Sequence, residues 1–182
     1  MSCDEFEFYL TEVKAHWLEA RIVLNGSHYD LSTHSNFSEP IRDICRCLSD
    51  ARGLEGPVDM DRDYRHLEFE WIGEGWLYYW NVIPQPDGRL RVGVEFKGKR
   101  EEGGREFPVW ALDIHTDWQT FSRQAFTQAL ALLRQHGFTG YHSRWGKEFP
   151  VSDLMRLGHL LNGQPLDTND IFRELDYLVG AR

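Results

Sequence analysis

What most constrains this chain is the order in which its two periodicities arrive. Phe6, Phe8 and Leu10 alternate with Glu5, Glu7 and Tyr9, and Leu18, Ala20, Ile22 and Leu24 alternate with Trp17, Glu19 and Arg21. Period two places one set on each face of a strand, so the two runs, separated by Val13-Lys14-Ala15-His16, read as an antiparallel pair with one buried face. Four more candidates follow: Leu67-Phe69-Trp71 against Glu68 and Glu70, Trp76 to Ile83, Leu90-Val92-Val94-Phe96 against Arg89, Arg91 and Glu95, and Phe107 to His115. A parallel sheet requires strands that alternate with crossover helices, and this order lacks them.

The helical period fills the remainder. Asn25 to Asn36 reads as a polar loop. A helix is expected from about Glu39 to Arg52, with Ser38 as N-cap, Pro40 in the first turn, Gly53 at the end, and Ile41, Ile44, Cys45 and Leu48 on one face. Thr116 with Gln119 reads as a capping box before a wide apolar stripe, Phe121 to Leu133, that stops at Gly137. Leu154, Leu157 and Leu161 mark a shorter helix after Pro150, and Ile171 to Val179 mark a last one. The expectation is one α+β domain spanning residues 1–182, ordered ββαββββααα, with a single antiparallel sheet of about six strands and amphipathic helices packed against it.

With 182 residues and 41% hydrophobic content, a chain of this kind buries roughly 70% of its unfolded surface. Its 20 basic and 29 acidic residues leave a net charge of −9, which repels a polyanion and argues against nucleic acid as a partner. The charge is uneven: Asp50 to Gly75 holds eight acids and three bases. Three cysteines are an odd number without framework spacing, and Cys45 and Cys47, two apart on a helix, point about 200° from each other. No apolar stretch approaches the ~18 residues of a membrane span, and the acidic N-terminus does not resemble a signal peptide. These features together point to the cytoplasm, with no membrane and no cofactor.

Motifs for chemistry are sparse. Asp59, Asp61 and Asp63, with Glu70 in twelfth position, copy the carboxylate spacing of an EF-hand loop, but Tyr64 replaces its turn glycine and the following residues alternate like a strand. Asp113, His115 and Asp117 form a second candidate metal or base cluster at a strand end. The aromatic run is the most distinctive feature. Alternation sends Trp76, Tyr78 and Trp80 to one face and Leu77, Tyr79 and Ile83 to the other. If the tryptophan face is exposed, it joins Asp59, Asp61, Asp63, Glu68, Glu70 and Glu74 in a surface whose rings anchor and whose acids steer a basic protein. A self-associating subunit would use the same rings.

A helix after an N-terminal hairpin (Ser38 to Leu48), an acidic stretch before an aromatic strand (Asp59 to Trp71), and the series Gly140-Tyr141-x-x-Arg144-Trp145, Phe149-Pro150 and Leu157 resemble a loose group of uncharacterised bacterial proteins. That group often carries a proline-glycine turn where this chain has Asp63-Tyr64-Arg65. Small acidic proteins of this build are similar to immunity proteins of bacterial toxin systems. The resemblance implies a non-catalytic module that occludes the active site of a basic toxin domain.

Overall fold

The structure, a computed structural model, describes residues 3–53, 66–85, 87–99, 101–102, 104–163 and 171–180. In chain order the elements are β1 (Phe6–Lys14), β2 (Trp17–Leu24), β3 (Ser27–His34), α1 (Pro40–Gly53), β4 (Leu67–Ile72), β5 (Trp76–Pro84) and β6 (Arg89–Gly98). A two-residue pair, β7 (Glu101–Glu102) and β8 (Arg105–Glu106), precedes β9 (Ala111–Asp117), α2 (Trp118–Trp145), α3 (Val151–Asn162) and α4 (Ile171–Gly180). The fold is α+β and every strand pairing is antiparallel. The expected single sheet of about six strands is instead two sheets, β1-β2-β3 and β4-β5-β6-β9, beside the small β7-β8 pair.

The difference begins with a strand that looks like a loop. β3 reads Ser-His-Tyr-Asp-Leu-Ser-Thr-His, with Leu31 its one aliphatic residue, yet it pairs with β2 along its whole length. The signal for it was the Asn25-Gly26 turn: both residues take left-handed φ (49° and 79°), the geometry that a two-residue hairpin loop requires. The first hairpin turn is also two residues, Ala15-His16, at φ 49° and 71°. A bulge between Leu10 and Glu12 shifts the register so that Val13 points inward. The end of α2 holds this strained turn in place: His16 N–H donates to Arg144 O at 2.7 Å.

The sheets meet along β3. Both backbone groups of Ser32 find side-chain partners on β5: Tyr78 Oη accepts from Ser32 N–H at 3.2 Å, and Trp76 Nε1–H donates to Ser32 O at 3.0 Å. The backbone groups that Ser32 presents on this edge strand are thereby satisfied. Phe8 of β1 packs at 6.2 Å from Trp71 and 6.4 Å from Trp80, and Phe121 of α2 lies edge-on to Phe6 and Phe8. At the other edge Gln124 of α2 accepts from Phe8 N–H and donates to Phe6 O.

Helix ends follow the sequence reading in part. Ser38 Oγ accepts from Ile72 N–H, tying the start of α1 to β4. The N-cap of α2 is Asp117, whose carboxylate accepts from Thr120 N–H at 2.7 Å, while Thr116 is buried in β9. Gly137 (φ 65°, ψ 175°) is non-helical and ends the first segment of α2, as the sequence reading expects; a second helical segment, not foreseen, continues directly from it and closes at the left-handed Gly146. Tyr141 and Trp145, on that continuation, are buried.

Candidate functional site

Register divides the four-stranded sheet into two surfaces. The inner one carries Trp71, Tyr78, Trp80, Val82, Leu90, Val92, Val94, Phe96, Leu112 and Ile114, all in the core. Tyr78 and Trp80 therefore do not form a partner-binding surface: they are 1% and 0% exposed. Trp76 is half-buried, stacked on Trp17 at 5.7 Å, and engaged with Ser32. The cause is the second sheet with its helices, which covers the tryptophan face and, among the described residues, leaves the opposite one open.

Glu68 and Glu70 lie on that opposite face, separated from the rings by the sheet itself. Glu74 is exposed in the β4–β5 turn. Asp59, Asp61 and Asp63 lie outside the described residues, so the EF-hand spacing reduces to Glu70, which stands in β4.

The outer face is built in transverse rows. One row reads Glu68, Asn81, Gly93, Asp113 from β4 to β9, and the next reads Glu70, Tyr79, Glu95, Ala111. These two central rows hold four carboxylates and no base. The bases stand in the flanking rows, Arg91 opposite His115 and Lys97 opposite Leu77. Both reach inward: Arg91 makes a bidentate pair with Asp113, at 2.8 Å for each bond, and Lys97 meets Glu95 at 2.8 Å while lying 4.7 Å from the Tyr79 ring centre. Tyr79 registers the local field. Its hydroxyl is pushed up to about 12, first by the hydrogen bond to Glu68, then by burial and by the charges of Glu68, Glu95 and Glu70. Asp113 is held below the usual carboxylate range, chiefly by its Arg91 hydrogen bonds.

A shallow cavity of about 450 Å³ opens on this face, with Asn81 and Gly93 in its central row and Tyr79, Ile83, Arg91, Glu95 and Asp113 around them. His66 Nδ1 lies 3.3 Å from Asn81 Oδ1 at one side. Asp113, His115 and Asp117 share the face as alternation requires, but they do not assemble a metal site. Asp113 is engaged by Arg91, His115 Nε2 stands 4.0 Å from Asp113 Oδ1, and Asp117 caps α2. Among the described residues no group of three or more histidine, cysteine, aspartate or glutamate side chains could hold a metal ion.

Two further clusters were not foreseen. His16, Trp17, His34, Phe37 and Trp76 form a contiguous aromatic group, with Phe37 53% exposed. Its members come from three separate segments, so no local spacing announces it. It works as a joint between the sheets, because Trp76 ends on the backbone of β3. The second cluster lies between α1 and α3, where Arg42 and Arg46 reach Asp153 and Lys147 reaches Glu39. Asp43 sits within it, its carboxyl pushed up to about 6 mainly by burial, against the opposing pull of a Glu39 backbone hydrogen bond and of Arg42 and Arg46.

No protein-family model matches the chain, and no curated protein sequence matches it. Among the described residues, no helix is long and apolar enough to cross a membrane.

Proposed function

We propose that this chain is a non-catalytic protein-binding module whose recognition surface is the outer face of the four-stranded sheet. The observation that carries the reading is the acidic excess of this face, four carboxylates in its two central rows against Arg91 and Lys97 reaching in from the flanking rows, on a face that the other described elements leave open. Such a face steers a cationic partner at long range and offers Tyr79, Leu77 and Ile83 as apolar contact once the partner arrives. The partner class is a basic protein. The resemblance to immunity proteins makes a toxin domain the specific form of that reading, neutralised by occlusion of its active site. Free Cys3, Cys45 and Cys47 suit a reducing compartment, which supports the cytoplasm as part of this reading.

The test is charge reversal on exposed positions. Paired baits, the natural chain and its Glu68→Lys/Glu70→Lys variant, are offered to bacterial lysate, and a protein retained by the first alone is purified and measured directly. Association is expected to slow by roughly tenfold in the variant and to lose most of its salt dependence. A partner that binds both forms at equal rates at low and high salt would remove this face from consideration.

A further inference from the structure

This inference rests on the outer face being a protein-binding surface and names what the face receives. We propose that the gap above Gly93 seats an arginine side chain of the partner, its guanidinium laid on the bare backbone and held by Asp113, Glu95 and the amide oxygen of Asn81.

The first argument is the glycine. Gly93 stands in the interior of β6, a strand paired on both sides, where glycine weakens a sheet by its flexibility and lack of a side chain. The fold does not ask for it. Gly98, at the end of the same strand, has φ +98°, and a Cβ there would fall 2.5 Å from Gly75 O. Gly93 has no positive φ, and a Cβ there would meet nothing nearer than 3.8 Å, where Asn81 Cβ and O lie in ordinary contact. Neither backbone conformation nor packing among the described residues requires glycine here, and a bare floor in a paired strand is what close approach by another molecule uses.

The second argument is what surrounds the floor. Asn81 and Asp113 are the direct cross-strand neighbours of Gly93, and Glu95 is two residues along on the same face. All three present oxygen acceptors, and each already meets one neighbour: Asp113 meets Arg91, which also lines the cavity, Glu95 meets Lys97, and Asn81 meets His66. Asp113 already shows how this face takes a guanidinium, since it binds Arg91 through both oxygens, and each carboxylate oxygen has a second lone pair to offer. A flat, weakly hydrated cation with five in-plane donors matches a flat floor rimmed by acceptors better than a compact ammonium does.

The test uses a short peptide with arginine alternating with serine, together with its lysine and citrulline counterparts, titrated into the isotope-labelled chain and followed by amide NMR shifts. The arginine peptide is expected to give saturable shifts centred on Gly93 and Asn81, the lysine peptide weaker ones, and the citrulline peptide none. Gly93→Val fills the seat and should weaken arginine-peptide binding by about tenfold or more, while its melting temperature holds or rises because valine suits a strand. Gly93→Ala, the smaller filling, should fall between. Gly93→Val binding as tightly as the natural chain, or shifts scattered over distant acids, would overturn the seat. Glu70→Lys separates the two readings. If it reduces peptide binding and Gly93→Val does not, the face stands without the seat; if neither variant has an effect, both fail.

Discussion

Tyr78 and Tyr79 are neighbours in sequence and occupy opposite worlds in the structure. Tyr78 is buried in the inner face, and its hydroxyl accepts from the backbone of another sheet. Tyr79 stands on the outer face, its hydroxyl tied to Glu68 and a lysine over its ring. The whole sheet divides the same way. Odd positions of β5 and even positions of β4 look outward among carboxylates, while their neighbours look inward among tryptophans. Both faces carry aromatic rings, so aromatic content does not decide which of them is a surface. What decides is which face another element covers.

The largest expected effect breaks this comparison if it fails. Trp80→Ala empties a fully buried site and should cost about 3–5 kcal/mol in denaturant unfolding, against less than about 1 kcal/mol for Tyr79→Ala. Similar values for the two would mean the faces have been assigned wrongly. Removing one oxygen gives a finer contrast. Tyr78→Phe strands the N–H of Ser32 beneath the sheet and should cost about 1–3 kcal/mol, whereas Tyr79→Phe should lie within about 0.5 kcal/mol of the natural chain.

Two carboxylates sharpen the same distinction by pH. Asp43 has a folded-state value raised to about 6 by burial, so its charged form opposes folding, and the penalty grows as pH rises from the ordinary aspartate value toward 6 and stays in place above it. Asp43→Asn should therefore stabilise the protein by about 1–2 kcal/mol at pH 8, after allowance for solvent screening of a partly exposed group, and by nothing near pH 3. Melting curves at the two pH values check this. Asp113 has the opposite sign. Its value is depressed by Arg91, so its contribution is present above the ordinary aspartate value and is lost as pH falls through the depressed one. With both partners 52% exposed, Asp113→Asn should change stability at pH 7 by less than about 1 kcal/mol.

Much of the architecture was legible because periodicity is a local property. β1, β2, β4, β5 and β6, the start of α1, and the helices after β9 all follow from the spacing of apolar residues and from Gly and Pro. β3 was missed because two of its three buried residues are polar, Ser32 held by hydrogen bonds to Tyr78 and Glu19 and Thr33 held by packing, contacts that only the folded chain supplies. Gly137 breaks the helical backbone where a glycine after an apolar stripe often does. What the sequence reading missed is the second helical segment beyond it, anchored by the buried Tyr141 and Trp145. Of the expected partner-binding residues, Glu68 and Glu70 are on the open face and Tyr78 and Trp80 are not, although strand parity had separated Tyr79 from Tyr78 correctly.

By itself, then, the sequence determined which residues share a face, since alternation along a strand and recurrence along a helix are set by backbone geometry. It also determined the acidic sign of the surface. Only the tertiary structure decided which face of β5 meets solvent, that β3 is a strand, and that Glu68, Asn81, Gly93 and Asp113 stand in one row. The physical reason is that covering a face and aligning a row depend on contacts between segments far apart in the chain, and no local pattern records how such segments meet.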